Sequence, residues 1–141
     1  KHSKPALLAY INCSLQEAIL ERNADKVEYA LLVLFHFDLY DTSLDSLICQ
    51  LLLENWHYKH EDLVSLVQSE KIQICVNAVY ETAIKSFDYL AYDTHRGLSR
   101  KCTWALAEIG TEAAYSKLRE LANSENSLIR SYAEKRLANP T

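Results

Sequence analysis

An internal repeat constrains this chain more than any other feature. Leu98-Ser99-x-x-Cys102-x-x-Ala105-Leu106 aligns with Ile129-Arg130-x-x-Ala133-x-x-Arg136-Leu137 at an offset of 31 residues. In each, an aliphatic residue leads, a small residue follows four positions on, and Leu falls eight positions on. Those spacings put the three residues on one face of a helix. A period near this length marks a two-helix unit. One such pair cannot bury its own apolar stripe, so neighbouring pairs must stack. The 141 residues include only two Gly and two Pro. Folds rich in β-structure need frequent turn breakers, so the scarcity argues for helices joined by short connections. The expected fold is all-α: an α-solenoid of antiparallel helix pairs, about nine helices, in one domain over residues 1–141.

Capping signals and apolar spacing place the helices. Ser3 and Pro5 open the first. Ser14-Leu-Gln-Glu17 has the spacing of a capping box and predicts a second helix ending near Asn23. The third, over 25–40, is apolar nearly all round and is expected to be the most buried. Helices follow over 43–55, 60–69 and 71–85. The long stretch 86–97 is aromatic and acidic. Three regular helices then cover 98–109, 112–122 and 127–138.

Residues 97–138 resemble the short bacterial HEAT repeats of the phycobilin-lyase type. Ala105-Leu106-Ala107-Glu108-Ile109-Gly110 is similar to the end of the first helix of that repeat, and Leu118-x-x-Leu121 to its second helix. Ile129-Arg130 is similar to the pair that opens the next unit. Residues 59–85 match more loosely. Ser99 stands where the family often has Arg, and Thr111 where it often has Asp, so the resemblance implies a broken side-chain ladder between repeats. The stretch from Asp88 through Leu137 also resembles small stand-alone bacterial HEAT-like proteins, some of which are immunity proteins that neutralise secreted or contact-delivered toxins.

Charge is uneven. Residues 1–95 hold 7 Lys/Arg against 14 Asp/Glu, whereas residues 96–141 hold 8 against 5. Within 38–93 the ratio is 3 to 10. An acidic field of this kind repels nucleic acid and attracts basic partners. The basic residues Arg100, Lys101, Arg130, Lys135 and Arg136 are few, and ion pairing with Glu108 or Glu134 is their expected use. Cys13, Cys49, Cys75 and Cys102 form no close pair and each lies in an apolar helical pattern. They read as buried free thiols, which implies a reducing, cytoplasmic setting. No signal peptide is visible, and the longest apolar run, Tyr29 to Phe35, is too short to span a membrane. The absence of Met, even at position 1, suggests a processed or trimmed start.

Chemical motifs are sparse. His57-x-x-His60-Glu61 could ligate a metal, but without a third ligand it reads as a surface-exposed pair. His36 reads as a core histidine. Asp88 and Asp93, with Glu81 nearby, could form a carboxylate pair, yet no sugar-binding frame accompanies them. No phosphate loop or nucleophile elbow is present. No cofactor, metal or catalytic residue is expected, and the chain reads as a non-enzyme.

The better use of 87–93 is contact. Aromatic anchors ringed by polar groups suit interfaces, although Phe87, Leu90 and Tyr89 could equally pack inward. In a solenoid the second helix of each pair lines the concave face. That surface would carry Asp45, Cys49, Gln50 and Glu54, then Gln73, Asn77 and Glu81, then Lys117 and Glu120. The residues expected to bind a partner are therefore Asp45, Glu54, Trp56, Asn77, Glu81, Asp88, Tyr89, Tyr92 and Asp93. The expected function is protein binding, as an immunity protein that meets a basic toxin domain, a nuclease by class. The competing reading is a general HEAT-type scaffold or adaptor with an endogenous partner. A lyase accessory or nucleic-acid binder ranks below both.

Overall fold

A computed structural model describes residues 3–138. Among them are eight α-helices and three 3₁₀ turns, with no strand. The helices are α1 (Lys4–Glu21), α2 (Ala24–Phe37), α3 (Asp45–Leu52), α4 (His60–Glu70), α5 (Val76–Ile84), α6 (Gly97–Ile109), α7 (Glu112–Leu121) and α8 (Ser127–Ala138). The 3₁₀ turns are Thr42–Leu44, Gln73–Cys75 and Asp88–Leu90.

The count differs from nine because α1 runs unbroken through Ser14. Ser3 caps it as expected, its hydroxyl accepting the Ala6 N–H at 3.2 Å. Ile11, Leu15 and Ala18 are spaced four and three apart and all are buried. That stripe crosses the capping signal at Ser14, and packing overrides it. Asn23 then caps α2 by accepting from the Lys26 N–H at 3.2 Å. Three helices end on non-glycine residues in the left-handed region: Arg22 (φ 52°), Asp38 (φ 53°) and Lys71 (φ 53°). Only the end of α6 has the glycine such a cap favours, Gly110 at φ 71°. Thr111 caps α7, its hydroxyl accepting the Ala114 N–H at 3.2 Å. The hydroxyl thus serves where the resembled repeat often uses Asp.

The burial of α2 is a correction. Its Val27, Ala30, Leu31 and Leu34 pack inward against α1, but Tyr29, Leu32, Phe35 and Phe37 are exposed, and so is His36. The expected core histidine therefore lies on the surface. An apolar helix is fully buried only where neighbours surround it. Here α2 packs chiefly on α1, and α1 in turn touches α3.

The most enclosed helix is α6. It packs against α4, α5, α7 and α8, and buries Leu98, Ser99, Cys102, Thr103, Ala105, Leu106 and Ile109. Beyond the N-terminal hairpin, α3, α5 and α7 are successive neighbours, and so are α4, α6 and α8. Side chains bridge α3 and α5: the Thr82 hydroxyl reaches the Leu52 carbonyl at 3.1 Å, and Lys85 Nζ the Leu53 carbonyl at 3.0 Å.

The thiol reading also changes. Cys49 on α3 and Cys75 at the entry to α5 form a disulfide, with their Cα atoms 5.2 Å apart. Cys13 is exposed, and Cys102 alone is a buried free thiol, its pKa pushed up by that burial. The residues of the pair are 26 apart in sequence, and only the packing of α3 on α5 brings them together. The inference of a reducing compartment rested on four free thiols and loses its ground.

Candidate functional site: the α5 face and the 86–96 loop

The loop after α5 is held from three sides. From one side comes a pair of histidines. His57 and His60 are both fully buried, not surface-exposed as the spacing suggested, and their rings stack at 4.1 Å. The imidazole Nε2 of His57 lies 2.7 Å from the Leu51 carbonyl, and that of His60 lies 2.6 Å from the Glu54 carbonyl. A carbonyl only accepts, so each Nε2 carries the proton and each Nδ1 is left as an acceptor. His57 Nδ1 accepts the Lys59 N–H at 3.0 Å. His60 Nδ1 accepts from the Tyr89 hydroxyl at 2.8 Å, which itself accepts the His60 backbone N–H at 3.2 Å. Burial holds both histidines neutral. It lowers His57 and brings His60 down to about 4, with the neighbouring His57 adding to the shift. Burial likewise pushes Tyr89 up to about 12. Every ring nitrogen is engaged within the protein, and Phe87 closes over His60 at 4.0 Å between ring centroids.

The second hold is at the start of α6. Asp93 Oδ2 accepts the Gly97 N–H at 2.9 Å, and Oδ1 accepts the His95 N–H at 3.0 Å. A Cβ at Gly97 would stand 2.7 Å from Asp93 Oδ2, so any larger residue there would displace this carboxylate from its present position. Arg96 occupies the left-handed region at φ 52° and turns its guanidinium back. It reaches the Lys85 carbonyl at 2.9 Å, the Ala83 carbonyl at 3.4 Å and the Ser99 hydroxyl at 3.2 Å. The cation thus meets the negative end of the α5 dipole. Ser99 donates to the same Ala83 carbonyl at 2.6 Å. The third hold comes from α8, where the Tyr132 hydroxyl donates to the His95 carbonyl.

These holds sort the nine expected contact residues. Asp45 is half-buried and accepts from the Tyr40 hydroxyl at 2.6 Å, which together with burial raises Tyr40. Glu54 accepts from Trp56 Nε1 at 2.9 Å, so these two are engaged with each other. Tyr89 locks His60 and Asp93 caps α6. These five residues serve the fold first. The other four are exposed: Asn77 and Glu81 on one face of α5, and Asp88 and Tyr92 on the loop. Tyr92 is 80% exposed. Three expected concave residues are taken up as well: Cys49 is in the disulfide, and Lys117 lies 4.6 Å from the Tyr80 ring centroid while pairing with Glu120 at 3.2 Å.

The loop and the ends of α5 and α6 border a cavity of about 310 Å³ whose lining includes Lys85, Asp88, Leu90, Asp93 and Arg96. Its charged groups are of both signs, and Arg96 and Asp93 are already hydrogen-bonded to backbone. Among the described residues, no three His, Cys, Asp or Glu side chains gather to hold a metal ion. No helix among them is long and apolar enough to cross a membrane.

Comparison with protein families, curated proteins and solved structures returned no match.

Functional reading therefore rests on the residues themselves. Sequence reasoning missed the locking roles of His57, His60 and Arg96. A carboxylate four residues before a glycine that opens a helix was a visible sign of the Asp93 cap. Two of the basic residues expected to pair with Glu108 or Glu134 make other contacts: Arg136 lies over the Trp104 ring at 3.6 Å, and Arg130 donates to the Ser124 carbonyl at 2.9 Å.

Proposed function

We propose that this chain is a protein-binding module of the immunity type, which meets a basic toxin domain through the α5 face and the 86–96 loop. One observation carries the reading. Asp88 and the fully displayed Tyr92 stand on a loop whose backbone is fixed by Tyr89–His60, Asp93–Gly97 and Arg96–Lys85. Fixing a loop before binding removes the ordering cost that otherwise weakens an interface. Asn77 and Glu81 extend the surface along α5, and the acidic balance of 38–93 steers a cationic partner. The successive packing of α3, α5 and α7, and of α4, α6 and α8, supports a HEAT-like two-layer solenoid as the frame. The expected cytoplasmic setting has lost its support from free thiols, and a disulfide suits an oxidising compartment.

Co-purification with a basic nuclease domain from the native cell tests the reading. Asp88→Lys together with Tyr92→Ala is expected to weaken that complex at least about 100-fold, and added salt to slow its association. Affinity unchanged by the pair of substitutions would remove the loop from the interface. Recovery of only housekeeping proteins would favour the scaffold reading.

A further inference from the structure

The outward face of α2 carries a row that nothing among the described residues covers. Asp25, Tyr29, Leu32 and His36 follow one another at spacings of four, three and four, the seam spacing of packed helix pairs. All four are exposed, Tyr29 at 59% and Leu32 at 63%. Phe35, 45% exposed, and Glu28 flank the row on one side. The inward residues Val27, Ala30, Leu31 and Leu34 lie on the opposite face against α1.

We propose that this row is the contact by which two copies of the chain pair, α2 against α2 in antiparallel orientation. The row is self-complementary in that orientation only. Antiparallel pairing sets Tyr29 of each copy beside Leu32 of the other, and Asp25 of each opposite His36 of the other. An imidazole offers an N–H to a carboxylate in either protonation state, so each end of the contact closes with a donor–acceptor pair. Parallel pairing would instead set Asp25 against Asp25, His36 against His36, and the two helix dipoles side by side. Phe35 of each copy falls beside Glu28 of the other and covers the methylenes of that side chain.

The area fits a reversible dimer. Three apolar side chains of this size and exposure offer roughly 600 Å² over two copies, and the polar ends bring the total to about 1,000 Å². That is the lower end of a specific interface, the size of a reversible contact. The contact is independent of the α5 face and of the proposed partner.

Sedimentation equilibrium on the full chain tests the pairing. A Cys13→Ser background removes the exposed thiol that could cross-link copies. The expected result is a monomer–dimer equilibrium with a dissociation constant of about 10 µM. Leu32→Glu, at a position already in water in the monomer, is expected to abolish the dimer while leaving the helical circular dichroism intact. Asp25→Lys is expected to weaken it about tenfold, and Asp25→Lys with His36→Glu to restore it to within about twofold. Three outcomes overturn the proposal: a monomer at all concentrations up to about 1 mM, a dimer indifferent to Leu32→Glu, or a double exchange that fails to restore what the single one lost.

Discussion

At the scale of single residues, His60 shows how one side chain can hold a connection. Its ring donates to the Glu54 carbonyl, accepts from Tyr89 and stacks on His57. A second ring proton would charge a buried imidazole that lies against His57, and burial is the larger of the two costs. The native protein therefore resists protonation down to about pH 4, whereas the unfolded chain takes up protons near the ordinary 6.5. The stabilisation is fully present above pH 6.5 and is lost as pH falls from there to about 4. Denaturant titration should show stability lower by about 2–3 kcal/mol near pH 4.5 than near pH 7.5. A flat profile over that window would mean that the ring is charged in the native state. The HxxH spacing was visible in the sequence, but burial was not. Histidine spacing alone does not distinguish a ligand pair facing water from a pair that satisfies carbonyls at the end of a helix. Asp93 differs: its spacing from Gly97 was visible in the sequence, although the residue was read there only as acid.

At the scale of elements, periodicity located the helices well where one face is buried and the other polar. It succeeded for α6, α7 and α8, whose bounds lie within a residue of those expected. It placed the bounds of α2, α3 and α5 less well: the helix expected over 71–85 begins only at Val76, after a 3₁₀ turn, and those expected over 43–55 and 25–40 end at Leu52 and Phe37. It failed more deeply in two places, for different reasons. In α1 a local capping signal at Ser14 yielded to a continuous inward stripe. In α2 an apolar sequence signified a helix with one buried face, and the opposite face has no partner among the described residues. Composition reports how much apolar surface a helix has, not whether its own chain covers it. The central role falls to α6, whose Leu106 is fully enclosed. Leu106→Ala should lower unfolding free energy by about 2–5 kcal/mol, read from urea unfolding. A loss near 0.5 kcal/mol would mean that the surrounding helices close the gap, and that α6 is not the rigid centre of the packing.

At the scale of the whole molecule, helical class was legible because 141 residues with two glycines leave few alternatives. The disulfide was not, since Cys49 and Cys75 meet only through packing of α3 on the entry to α5. Joining residues 26 apart restricts the unfolded chain. Reduction under native conditions should therefore cost about 3 kcal/mol, less any strain relieved, and lower Tm by several degrees. Thermal unfolding with and without a thiol reductant, on the Cys13→Ser protein, measures this. An unchanged Tm would show that the bond adds nothing to the packing already there. The four exposed contact residues were legible as types, yet the five engaged ones looked the same in sequence. Only the hydrogen bonds of the folded chain separate display from support.

The same bond has a topological consequence. It closes a covalent ring that contains the whole of α4, both buried histidines and the connection from Leu53 to Lys59. Leu53, Asn55 and Tyr58 in that connection are exposed, which makes it the natural place for a protease to cut. A single cut there would not release a fragment. The two pieces would migrate as one species on a denaturing gel until a reductant was added, and only then separate.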